Sequence, residues 1–151
     1  MKPLATLVAA MALALATAST AQAGIQLSKI LPNPAVAAVG QSLADAEFVV
    51  VKNTAAKAKN LRGWFIREKH SKRTFTFPSF TLCGGCNVKI HSGTGTNTAS
   101  DLYWGRAKGA WANNSDKAIL HRAGGLIQDT CVYPKPTNGV PPPTLGKTFS
   151  C

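Results

Sequence analysis

The chain has 151 residues, 45% of them hydrophobic, with 17 Lys and Arg against 6 Asp and Glu and a formal charge of +11. The length suits one domain beside a targeting segment, large enough to bury about two-thirds of the surface its unfolded chain exposes. The basic excess bears on partners and solubility, not on fold.

Met1-Lys2 gives a positive start. Leu4 to Leu15 is apolar but too short to cross a bilayer, and Ala21-Gln22-Ala23 is a small-x-small cleavage site. The pattern predicts a secretory signal peptide over 1–23, cleaved after Ala23. The mature chain, 24–151, then has 128 residues and a net charge of +10, from 16 Lys and Arg against 6 Asp and Glu. No Cys stands at the cleavage point to take a lipid, and no later stretch is long and apolar enough for a transmembrane segment. The expected localisation is secreted, extracellular or periplasmic.

Ile25 to Ile30 alternates with period 2 and stops at Pro32-Asn33-Pro34, which predicts an edge strand. Ala35 to Ala46 is weakly patterned and predicts a loop or one helical turn. Glu47 to Asn53 and Leu61 to Glu68 are short runs rich in β-branched and aromatic residues, read as two adjacent strands. Alternation puts Val49 and Val51 on the core face of the first, and Trp64 with Ile66 on one face of the second. Gly63 offers a bulge that re-aims the Trp.

Thr74 to Phe77 alternates again and ends at Pro78. Phe80-Thr81-Leu82 and Asn87 to His91 flank Gly84-Gly85, and Lys117 to Arg122 and Leu126 to Cys131 flank Ala123-Gly124-Gly125; both pairs predict hairpins. His91 to Asn97 reads as a wide surface loop, with Asp101-Leu102-Tyr103-Trp104 returning to the core. About seven strands and no convincing helix predict an all-β protein, an antiparallel β-sandwich.

The motifs from Phe75 to Leu82, Gly84-Gly85, Thr98 with Asp101-Leu102-Tyr103-Trp104, Trp111 with Asn114-Ser115, and Lys117 to Leu120 resemble the lamin tail domain (LTD) family. So does Glu47 to Asn53 followed by Leu61-x-Gly63-Trp64. The resemblance covers about Ile25 to Cys131. It implies an immunoglobulin-like sandwich in the secreted, bacterial, stand-alone version of the family, without the coiled coil of a filament protein. It also implies an interaction module with affinity for DNA or protein partners and no catalysis. The domains expected are thus 1–23, a signal peptide; 24–131, the lamin-tail-like domain; and 132–151, a Pro-rich tail.

Lys57, Lys59, Arg62, Arg67, Lys69, Lys72 and Arg73 place seven cations within 17 residues, against Glu68 alone. Several on one edge of the sandwich would attract phosphates, so the expected partner is nucleic acid or an acidic envelope polymer. A solvated loop with no partner is the alternative for this run. For the protein as a whole, the alternatives are a protein-interaction or structural envelope module and a secreted redox or hydrolytic enzyme.

Cys83-Gly84-Gly85-Cys86 lacks the helix that would activate a redox pair and lacks a second pair for zinc. It predicts a hairpin staple, a feature lamin tails do not have in this turn. A bridge from Cys131 to Cys151 would pin back the tail, with Pro134, Pro136 and Pro141-Pro142-Pro143 between them. Four cysteines allow three connectivities, and 83–86 with 131–151 is the favoured one. His70, His91 and His121 have no metal-ligand spacing, and no nucleophile, base and orienter assemble. Neither enzyme activity, nor a cofactor, nor a metal is expected.

Overall fold

A computed structural model of the protein describes residues 23–35, 37, 39–133 and 145–151. The expected signal peptide up to residue 22 and the proline-rich stretch of the tail, 134–144, lie outside the described residues. The strands are β1 (Ile25–Leu31), β2 (Phe48–Asn53), β3 (Lys59–Asn60), β4 (Phe65–Glu68), β5 (Thr74–Thr76), β6 (Thr81–Leu82), β7 (Asn87–His91), β8 (Asp101–Tyr103), β9 (Asp116–His121), β10 (Ile127–Tyr133) and β11 (Phe149–Ser150). One helical turn, α1 (Leu43–Ala46), precedes β2. It starts at Ser42, whose hydroxyl accepts from the Asp45 amide while the Asp45 carboxylate accepts from the Ser42 amide, a reciprocal cap.

Two sheets, ordered β11-β1-β2-β7-β8 and β10-β9-β4-β5, enclose one core, and a two-stranded ribbon β3-β6 connects them. This is an immunoglobulin-like β-sandwich. Val49, Val51 and Ile90 of the first sheet are fully buried, as are Ile66 and Leu120 of the second. Each such side chain contributes about 1.5–3 kcal/mol by leaving water. The core faces of β2 and β4 are the expected ones. Val50, assigned by alternation to the outer face, is buried as well. Its register partner Lys89 lays its ammonium 5.2 Å from the centre of the Phe48 ring.

Several expectations are corrected. β2 and β4 are not adjacent: β2 pairs with β1 and β7, and β4 pairs with β5 and β9. Their apolar faces meet across the core instead of extending one sheet. Gly63 makes a turn, not a bulge. With φ of 75° it occupies a backbone region open to glycine, and the Trp64 amide donates to the Leu61 carbonyl at 2.9 Å.

The turn at Gly84-Gly85 exists, with the Cys86 amide donating to the Cys83 carbonyl at 3.2 Å, but its flanks form no hairpin. β6 pairs with β3 and β7 with β2, because the chain crosses between layers there. β1 is not an edge: β11 covers it at Lys29 and Ile30. β8 runs parallel to β7, the one parallel pair among the described residues. The hairpin of β9 and β10 forms as expected, turning at Gly125 with φ of 85°. Among the described residues there are eleven strands, not about seven. β3, β6 and β11 have two residues each, too few for periodicity to register.

Candidate polyanion-binding surface

The segment after β2 is held by its own asparagine. The Asn53 side chain donates to the carbonyls of Lys57 at 2.9 Å and Leu82 at 3.1 Å, and accepts from the Ala55 amide at 3.1 Å. The turn closed by Cys83 and Cys86, with Cα atoms 5.3 Å apart, props the same segment from outside. The Gly85 amide donates to the Ala55 carbonyl at 3.2 Å, and a Cβ on Gly84 would collide with the Ala56 carbonyl. Lys57 and Lys59 are thereby carried to the rim of an open groove of about 670 Å³.

Across the groove stands Arg122, which joins the lining together with Trp64, Gln128 and Asp129. β4 and β9 place it there. Phe65 is in register with His121, whose ring stacks on Phe65 at 4.4 Å while its Nδ1 donates to the Gly125 carbonyl at 2.9 Å. Arg122 Nε then donates to Gln128 Oε1 at 2.6 Å. Three cations meet one carboxylate in this groove, and that carboxylate, Asp129, accepts from the Leu27 amide at 2.8 Å.

The seven cations of the sequence do not form one cluster. Lys57 and Lys59 line the groove, and Arg62 is exposed in the turn at the same end. Arg67 lies on the outer face of β4, 5.6 Å from the centre of the Phe65 ring. Lys69, Lys72 and Arg73 follow β4 and sit at its other end, about 13 Å away along a four-residue strand. Arg73 donates there to the Ala110 carbonyl at 3.3 Å, and the Lys69 amide donates to the Lys117 carbonyl at 3.1 Å.

That far end is built on a buried carboxylate pair. Glu68 and Asp116 are 2% and 3% exposed. Glu68 accepts from the amides of His70 and Ser71 and from the Ser71 hydroxyl. Asp116 accepts from the amides of Ala112 at 3.1 Å and Lys117 at 2.7 Å. Burial, and then the neighbouring Glu68, push the Asp116 carboxyl up to about 6. Burial would raise Glu68 too, but Ser71, Asp116 and the two amides hold it below its ordinary value. Below about pH 6 the pair therefore holds one proton, on Asp116, beside an ionised Glu68.

The sign of the pH effect follows. A carboxyl whose pKa is raised on folding binds its proton more tightly in the native state, so it loses stability as pH rises from about 4 to 6. The loss is at most about 3 kcal/mol, and the opposite shift of Glu68 reduces it. Denaturant unfolding at pH 4.5 and 7 should show this decline in the wild type and a smaller one in Asp116→Asn. Equal declines would contradict the shared proton.

Two other polar centres are structural in form. Both nitrogens of His91 are occupied, Nδ1 by the Asp45 carbonyl at 2.7 Å and Nε2 by Asp101 at 2.9 Å. The Ser100 hydroxyl donates to Asp101 and not to His91, so this trio holds no activated nucleophile. Glu47, 3% exposed, accepts at one oxygen from the Ser92 hydroxyl and from the amides of Ala110 and Trp111. Burial raises its carboxyl above the ordinary range against those bonds and the attraction of Arg106. Among the described residues no three metal-ligating side chains converge.

Cys131 and Cys151 are the second bonded pair, with Cα atoms 5.0 Å apart. Both pairs are at disulfide distance in the favoured connectivity, and no helix among the described residues is long and apolar enough to cross a membrane. Arg122 escaped the sequence reasoning because it stands alone beside a turn. Its signal was the β9–β10 hairpin, which the pattern shows, but its distance from Lys57 in the chain hid the convergence.

Comparison with curated proteins finds no match. The family model of the Lamin Tail Domain matches residues 18–135, most of the chain, and that family consists of immunoglobulin-like, non-catalytic binding or structural domains. With the sandwich described above, the chain belongs to the lamin tail domain family.

Proposed function

We propose that this protein is an exported, non-catalytic binding module that engages an extracellular or envelope polyanion, nucleic acid or an acidic polymer, at the Lys57 end of the sandwich. The observation that carries the proposal is the convergence of Lys57, Lys59 and Arg122 on one groove with a single carboxylate, already engaged by a backbone amide. Phosphate, sulfate or carboxylate groups are the natural counterions of such a rim. Export rests on the signal peptide pattern of 1–23 with cleavage after Ala23, and two disulfides suit that compartment. The binding unit is 24–131, with 132–151 as a tail tied to it through Cys151.

Anisotropy titration with labelled duplex DNA and with an acidic polysaccharide over a range of salt tests the proposal. Binding that weakens linearly in log salt is the expected result, as release of counterions requires. Absence of binding to both ligands at low salt would contradict it.

A further inference from the structure

We propose that cleavage after Ala23 completes the anion site, because the α-ammonium released on Gly24 joins Lys57, Lys59 and Arg122 as a further cation of the groove. This inference rests on the anionic reading of the groove and on the cleavage site. It adds a binding group that exists only in the processed chain.

Gly24 immediately precedes β1, whose first residue, Ile25, is in register with Asn53 of β2. Thr54 clamps it from the opposite strand. The Gly24 nitrogen donates to the Thr54 hydroxyl at 2.9 Å, and the Gly24 carbonyl accepts from the Thr54 amide at 2.9 Å and from the same hydroxyl at 3.0 Å. The residue before Thr54 is Asn53, whose side chain holds the Lys57 carbonyl at 2.9 Å. Two successive residues thus fix the Gly24 nitrogen and the backbone of Lys57 in one frame.

Gly24 lines the groove, and so does the exposed Ala23. In the uncleaved chain the Gly24 nitrogen is an amide whose single hydrogen goes to Thr54. Cleavage turns it into an ammonium with three hydrogens, so two are left for an anion while the Thr54 bond is kept. Loss of Ala23 removes a wall residue at the same place. A positive charge then stands where the wall was.

The charged groups around this end are Lys52, in register with the groove residue Gln26, then Lys57, Lys59, Arg122 with His121 before it, and Asp129. Both oxygens of Asp129 already accept from amides, of Leu27 at 2.8 Å and of Thr130 at 2.7 Å. Ordinary α-amines titrate at about 7.7–8.0, lysines at about 10.4 and histidines at about 6.5. Between pH 7 and 9 the change of charge at this end therefore belongs to Gly24. Anions should be held while the amine is protonated and released as pH rises through its titration.

Three oxidised forms are compared with labelled duplex DNA and, in parallel, with an acidic polysaccharide. The first is the exported protein starting at Gly24, the second retains Ala21-Gln22-Ala23 in front of it, and the third is the first with its α-amine acetylated. The second keeps every charge but moves the ammonium away, and the third loses the charge with little added bulk. Both should bind about threefold to tenfold more weakly than the first at pH 7, with a salt slope shallower by about one. Raising the pH to 9 should erase most of the first form's advantage and leave the acetylated form unchanged.

Equal binding by the three forms would overturn the inference and leave the anionic groove standing. Weak binding by the extended form alone would also overturn it, since the added residues would then act as an obstruction. An exported protein that begins at a residue other than Gly24 would do the same. Absence of binding by every form at low salt would remove the anionic reading itself, and this inference with it.

Discussion

Replacement of Glu47 by Ala should destabilise the domain by at least about 3 kcal/mol, on the order of 10 °C in melting temperature. One carboxylate oxygen accepts from Ser92, Ala110 and Trp111 in a site closed to water, so its removal strands three donors at once. The other oxygen lies against Gly109, where a Cβ would press on it. Gln at this position keeps the accepting oxygen and removes a buried charge. Glu47→Gln should therefore be near neutral at pH 7, and the contrast separates lost hydrogen bonding from lost charge. Trp111 is buried beside this centre, so Glu47→Ala should also shift its fluorescence to the red. Equal losses in the two variants, or none in Glu47→Ala, would contradict this role.

Loss of the Cys131–Cys151 bridge has the second largest expected effect. The two residues are 20 apart in sequence, and closing that loop restricts the unfolded chain by about 3 kcal/mol. The bridge also ties down β11, whose Phe149 stacks on the buried Tyr133 at 5.6 Å between ring centres. A Cys131→Ser, Cys151→Ser double variant should lose about this stability and should show faster amide exchange over Lys29 and Ile30. Cys83 and Cys86 are only 3 apart, so their bridge should contribute less, about 2 kcal/mol by the same estimate. A larger loss at the shorter loop would show that the tail is held by other contacts.

The strands were legible where their signal is local. Val49 and Val51 declare a core face by period alone, and the Gly-rich turn before Leu126 declares the β9–β10 hairpin. Layer assignment was not legible. An apolar face on β2 and one on β4 look the same whether the strands lie side by side or oppose each other across a core. The turn at Cys83 misled for a related reason, since a tight turn does not reveal which partner each flank will take.

The candidate site was half legible. Lys57 and Lys59 stand out as charge, but their meeting with Arg122 depends on the register between Phe65 and His121. Glu47 was read as the polar start of a strand. Its partners lie 45 to 64 residues away, and no local pattern records them.

The groove is the central claim, and comparison of two charge-neutralised variants tests it most directly. One carries Lys57→Gln, Lys59→Gln and Arg122→Gln, and the other Lys69→Gln, Lys72→Gln and Arg73→Gln. Both lose the same formal charge, so a general effect of net charge treats them alike. Titrated with duplex DNA or acidic polysaccharide, the groove variant should bind at least about tenfold more weakly, with a salt slope shallower by about two to three. The far-end variant should stay near the wild type. Equal weakening in both would show that the charge acts diffusely and that the groove is not the site.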